Sequence, residues 1–242
     1  MGVDIAYLRI KRVIGSDEEC FLCALEDEIE SKYTDTYLSE LVMDASSREK
    51  IIESRGFCNH HFYKMLIAAN KPGSSDGHGI VLINESIVDE IIQDLRKQES
   101  HHIDDLHELL VTEDKCPACI HLAEFSRMYA EKIVELLSLD SEEFLKLLKE
   151  SKGFCIPHFV TLVQVAKDVA PAQSQKIIKN MMGIEEKNLR RLISELAEYV
   201  KRQSYEFSKK ERSAVADIVP RSVEKIAGRR GMKVETGERM QR

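Results

Sequence analysis

The six cysteines of this chain fall into two copies of one pattern: Cys20-x-x-Cys23 followed by Cys58-x-x-His61, and Cys116-x-x-Cys119 followed by Cys155-x-x-His158. The copies are offset by 96 residues at the first pair and by 97 at the second, so the register survives with one inserted residue. Around the second pair the likeness runs beyond the ligand types, with Glu53-Ser54-Arg55-Gly56-Phe57-Cys58 lying over Glu150-Ser151-Lys152-Gly153-Phe154-Cys155 and Phe62 over Phe159. This is the mark of an internal duplication.

Thiolates and imidazoles at three-residue spacing are metal ligands by chemistry and by geometry. Residues three apart on a helix share one face, with Cβ atoms about 5–6 Å apart. Three cysteines and one histidine close a zinc tetrahedron completely, as structural sites do. The expectation is two zinc ions, each held within its own copy: Cys20, Cys23, Cys58 and His61 around one, Cys116, Cys119, Cys155 and His158 around the other. An iron–sulfur cluster is the alternative, because Cys-x-x-Cys serves both metals. Thiol redox use is a further one, suggested by Cys116-Pro117-Ala118-Cys119, although such dithiols belong to a βαβ context that this chain lacks. A disulfide framework gives no reason for a histidine to recur, and haem attachment needs one directly after Cys-x-x-Cys.

The duplication also separates His61 from its neighbour His60. Pro157 stands where His60 does, and proline cannot ligate, so His61 is the ligand and His60 an outer or surface residue. Proline is tolerated in the first turn of a helix. Helices are therefore expected to begin near Cys58 and Cys155, with Gly56 and Gly153 ending the helices before them. The positive end of a helix dipole favours thiolates placed there.

The elements that position these residues read as helix almost throughout. Leu25, Ile29, Tyr33, Tyr37, Leu38, Leu41 and Val42 recur at three- and four-residue steps, as do Leu122, Phe125, Met128, Tyr129, Ile133 and Leu136 or Leu137. Short helices near 49–55 and 142–152 lead to the glycines, and longer ones over 81–98 and 173–207 close each copy. In the last of these Leu189, Leu192 or Ile193, Leu196, Tyr199 or Val200 and Phe207 form a stripe that reads as core. Lys71–Gly79 reads as a surface loop, and the stretch 99–107, rich in His and Asp, as a linker. The fold class is thus all-α, two tandem helical modules over 1–100 and 101–210, followed by a C-terminal helix and a basic flexible tail over 211–242.

Composition bounds the function classes. The 242 residues are 43% hydrophobic and 32% charged, a balance suited to a soluble helical chain. No apolar run approaches the roughly 18 residues of a membrane span. The start Met1-Gly2-Val3-Asp4 lacks a signal-like apolar stretch, which points to the cytoplasm, where thiols stay reduced. From residue 221 onward seven basic residues face three acidic ones, a net of +4, while the whole chain carries −7. Such a tail can meet an acidic partner or fold onto its own acidic body. With no strongly basic domain face, aromatic RNP-type strand or Cys₂His₂ spacing, nucleic-acid binding is the minority reading and a protein partner the expected one. No open-site zinc triad, nucleotide loop or nucleophile–base pair supports an enzyme.

The duplicated Cys-x-x-Cys with Gly-Phe-Cys-x-x-His-Phe resembles an uncharacterised family of archaeal and bacterial proteins, mostly from anaerobes. Its members end in a segment like Val223-Glu224-Lys225-Ile226-Ala227-Gly228, and the likeness covers about residues 1–228. The resemblance implies metal binding through the same eight residues and no particular activity. The chain therefore reads as a cytoplasmic metal-binding interaction or scaffold module.

Overall fold

The computed structural model describes residues 4–71, 77–98, 110 and 115–229. Within them the regular structure is helical and no strand occurs. The helices are α1 (Ile5–Ile14), α2 (Phe21–Ser39), α3 (Ala45–Glu53), α4 (Asn59–Ala69), α5 (His78–Gln98), α6 (Pro117–Ser138), α7 (Glu142–Glu150), α8 (Ile156–Val169), α9 (Ser174–Arg202), α10 (Lys209–Ser213) and α11 (Ile218–Ala227), with a 3₁₀ turn at Leu41–Met43. The expected linker over 99–107 and most of the expected 71–79 loop lie outside the described residues, as does the tail beyond Arg229.

Four of the helix starts use ordinary side-chain caps. Asp4, Asp44 and Ser141 accept from the backbone N–H three residues on, and Ser208 forms a reciprocal capping box with Glu211. The four helices that carry the cysteine pattern differ. Cys20, Cys58, Cys116 and Cys155 stand immediately before α2, α4, α6 and α8, and their carbonyls accept from the N–H groups of Ala24, Phe62, Ile120 and Phe159. A sulfur thus occupies each cap position, next to backbone N–H groups that carry the positive end of the dipole. Gly56 and Gly153, at φ 98° and 78°, turn the chain from α3 into α4 and from α7 into α8.

Two compact units result: residues 1–27 with 126–242, and residues 28–125. The expected modules 1–100 and 101–210 are not these units. The division falls inside α2 and inside α6, so each of these helices starts in one unit and ends in the other. In the first unit Ile10, Ile14, Phe21, Tyr129, Ile133, Phe144, Phe154, Leu162 and Met181 are fully buried. In the second, Tyr37, Val42, Ile51, Phe57, Met65, Ile83 and Ile87 form the core. Each Gly-Phe-Cys segment anchors itself by its phenylalanine: Phe154 packs 5.1 Å from Phe21, and Phe57 lies edge-on to Tyr37 at 5.3 Å and to Phe62 at 5.7 Å. On α9 the inward stripe runs through Ile177, Met181, Ile184 and Leu192, whereas Ile193 is exposed, which decides between the two residues that sequence left open.

Candidate metal centres

All eight candidate ligands come together, but in crossed pairs. Cys20 and Cys23 meet Cys155 and His158 in the first unit, while Cys58 and His61 meet Cys116 and Cys119 in the second. The expectation that each copy closes its own site is therefore corrected. Each cluster joins a Cys-x-x-Cys helix start from one copy to a Cys-x-x-His helix start from the other. Spacing within a copy cannot distinguish the two arrangements, because either one sets two helix N-termini face to face.

In the first cluster His158 Nδ1 lies 3.3, 3.4 and 3.1 Å from the sulfurs of Cys20, Cys23 and Cys155, and Cys23 Sγ lies 3.7 Å from Cys155 Sγ. In the second, His61 Nδ1 lies 3.1, 3.5 and 3.3 Å from those of Cys58, Cys116 and Cys119, and Cys58 Sγ lies 3.7 Å from Cys119 Sγ. Zn–S and Zn–N bonds of about 2.3 and 2.0–2.1 Å place tetrahedral neighbours at ~3.8 Å for sulfur–sulfur and ~3.5 Å for sulfur–nitrogen. One sulfur–sulfur contact in each cluster sits close to that spacing, and the sulfur–nitrogen contacts fall at it or a little below, which is compatible with a single ion. Each histidine turns Nδ1 to the sulfurs and its other nitrogen to a carboxylate.

Those carboxylates are Glu26 and Glu30, which sequence reasoning missed. Glu26 Oε1 is 2.9 Å from His158 Nε2, and Glu30 Oε1 is 3.0 Å from His61 Nε2. Metal-bound histidines ordinarily carry such a partner, which fixes the tautomer and raises ligand basicity. Both lie on α2, at three and seven residues beyond Cys23, so the first was findable as the next helical step of Cys20-x-x-Cys23. His60 Nε2 also reaches Glu30 Oε1 at 2.8 Å, and Lys64 pairs with Glu30 Oε2. His60 is thus an outer residue, as its alignment with Pro157 suggests.

Electrostatics follow from this crowding. Burial opposes a charged imidazole at His61, but contacts to Cys116, Glu30 and Cys58 hold its pKa up at about 10. Burial likewise opposes a charged Cys116, yet His61 and backbone N–H groups draw that thiol down to about 6. Glu30 is held at about 2 against burial by His61, Lys64 and His60. His158 is raised as well, its burial outweighed by Cys155, Cys20, Cys23 and Glu26. Cys116 is thus drawn towards thiolate, the form that a cation takes up, whereas burial and the neighbouring Cys116 and Cys58 push the Cys119 thiol up, and at Cys23 the lowering contact with Cys155 is outweighed by Cys20 and burial.

The clusters differ in cover. All four residues of the first are buried, whereas in the second Cys119 is exposed and Cys58 only half-buried. The cover over the first is α11 and the residues after it. Gly228, at φ 75°, approaches so closely that a Cβ there would lie 3.4 Å from Cys155 Sγ. Lys225, fully buried, donates to the Lys152 carbonyl at 2.8 Å and pairs with Glu185 at 2.8 Å. Glu185 in turn accepts from the Phe154 N–H. Arg229 bridges Glu18 and Asp27, each at 2.5 Å, on either side of the Cys20–Cys23 turn. The C-terminal basic residues Arg221, Lys225 and Arg229 therefore fold onto the chain's own acids, Arg221 reaching Glu19 and Glu195.

Helices on helices, with two Cys/His clusters at paired helix starts, one buried and one partly exposed, define an all-α protein with sites compatible with metal binding. The chain belongs to the family of unknown function DUF6062, whose model matches residues 1–233. Neither a curated protein nor a solved structure matches it. No helix among the described residues is long and apolar enough to cross a membrane.

Proposed function

We propose that the chain is a zinc protein in which Cys20, Cys23, Cys155 and His158 hold one ion and Cys58, His61, Cys116 and Cys119 a second, and that it serves the cell as an interaction or scaffold module. One observation carries the zinc reading: in each cluster all four donor atoms lie within 4.8 Å of one another, with contacts at the separations of one tetrahedral ion. An iron–sulfur cluster distributes its ligands over several irons and spreads them further apart. The charge is suitable too, since three thiolates and Zn²⁺ carry about −1, set against two helix N-termini. When bound, the ion would cross-link helix starts that are distant in sequence. Four protein ligands leave no open position for substrate, which supports a structural role over a catalytic one.

The test is elemental analysis of anaerobically purified full-length protein. Colourless protein with two zinc ions per chain is the expected outcome. Iron with visible charge-transfer absorption would replace this reading with the iron–sulfur one. Chelation that strips the metal should lower helicity and melting temperature, because ligands gathered from distant parts of the chain lose the bond that joins them.

A further inference from the structure

The two clusters share one ligand set yet differ in what reaches them, and that difference assigns a reactive position. Cys119 is exposed, whereas Cys23, its counterpart in the other copy, is 2% exposed, and Cys155 is fully buried where Cys58 is half-buried. Oxidation of cysteine follows thiolate character and access. A zinc-bound sulfur keeps thiolate character, so access decides between the clusters. Cys119 also has a second sulfur at hand, Cys58 Sγ at 3.7 Å, on a different helix start.

We propose that Cys119 is a peroxide-sensitive modification site that closes a disulfide with Cys58 and thereby discharges the second zinc ion. The Cys119 thiolate attacks one oxygen of a hydroperoxide. The O–O bond breaks, the other oxygen leaves as alcohol or water after taking a proton, and Cys119 becomes a sulfenic acid. The Cys58 thiolate then attacks that sulfur, the S–S bond forms, and hydroxide departs as water with a second proton. Two thiolates have lost two electrons and the peroxide has gained two. Only Cys116 and His61 would then remain to hold a zinc ion there, too few for a closed tetrahedron, so the site would release it. Residues at the first cluster stay reduced, because Gly228 and Arg229 lie across it.

The inference rests on the zinc reading and is tested on the full chain carrying two zinc ions. Hydrogen peroxide is added in small molar excess at pH 7, released zinc is followed with a chromophoric chelator, and thiols are mapped by differential alkylation and mass spectrometry. One zinc equivalent should leave about tenfold faster than the other, with Cys58 and Cys119 linked and Cys20, Cys23 and Cys155 still reduced. Equal release of both ions, or earlier oxidation at Cys20, Cys23 or Cys155, would overturn the site. A Cys116–Cys119 link would overturn the partner. A chain isolated without zinc overturns the underlying reading as well, whereas two bound ions with unselective oxidation overturn this inference alone. The native chain is the reagent, since Cys119→Ser would remove a ligand together with the reactive thiol.

Discussion

The first cluster lies beneath a C-terminal helix and the second, among the described residues, beneath nothing comparable, although both are built from three cysteines and one histidine at the same spacing. The difference begins at the glycines. A Cβ at Gly56 would meet Phe62 at 2.6 Å and Ile87 at 3.0 Å, an apolar backing, whereas one at Gly153 would meet Glu185 at 2.7 Å, Asn188 at 3.2 Å and Lys225 at 3.5 Å. One copy of the motif is therefore seated on hydrophobic packing and the other on a buried ionic network that reaches to α11. The recurring Cys/His residues set the ligand chemistry, and the C-terminal segment sets access to the first cluster.

The crossed pairing gives the largest expected effect. Replacing Cys20 and Cys155 together damages one cluster, so the double variant Cys20→Ala/Cys155→Ala should keep one zinc ion, whereas Cys20→Ala/Cys58→Ala should lose both. Pairing within each copy predicts the reverse. Metal content of the two purified variants, measured after gel filtration, decides between them.

Next comes the cover itself. Lys225→Ala leaves Glu185 charged and buried without its cation, a loss of about 3–5 kcal/mol for a buried pair. Urea denaturation should show that destabilisation in the unit of residues 1–27 and 126–242, while hydrogen exchange across α4 and α5 stays unchanged. Equal loosening of α4 and α5 would mean that Lys225 does not act on the first cluster alone.

The third comparison sets each cluster without metal against the same cluster with it. In the metal-free chain the folded pKa of His61, about 10, lies above its ordinary value of 6.5, so the stability it contributes is complete below pH 6.5 and is lost as pH rises through 10. Metal binding has the opposite sign, because it requires thiolates and a neutral imidazole and releases protons. The Cys116 thiol, drawn down from 9.0 to about 6, offsets this between pH 6.5 and 9, so chelator-stripped protein should hold level there and lose stability from pH 9 to 10, while zinc-loaded protein gains or holds it. Two curves of the same sign would count against metal at this cluster.

Much of this was legible in the chain itself. Two helix starts, at Cys58 and Cys155, followed from Pro157, Gly56 and Gly153, and the ligand types followed from the recurring Cys/His pattern. The pairing was not legible, because a Cys-x-x-Cys helix start is chemically complementary to either Cys-x-x-His start, and the choice is made by packing far along the chain. Phe21 against Phe154, a contact from one copy to the other, accompanies the crossed pairing. Lys225 was read as part of a basic segment, since no local signal shows that a lysine will meet Glu185, forty residues earlier, in the interior. Glu30 was hidden among ordinary helical acids for the same reason, whereas Glu26 stands at the next helical step after Cys23.

The smallest expected effects concern these outer residues. Glu26→Gln and Glu30→Gln keep size but remove the charge that orients His158 and His61, and loss of such a partner typically lowers metal affinity about 10–100-fold. His60→Ala stands one step further out, because His60 meets the ligand histidine by an edge-on ring contact at 5.0 Å and through Glu30, which Lys64 still anchors. It should retain both ions and shift affinity at the second cluster by about tenfold at most. His61→Ala removes a donor from a closed tetrahedron and should release about half of the bound metal to a mild competing chelator. A competition titration of the four variants orders them, with His61→Ala weakest, the two glutamine variants between, and His60→Ala nearest to wild type. Preferential loss in His60→Ala would move the fourth ligand from His61 to its neighbour, and with it the claim that Pro157 marks the position that does not ligate.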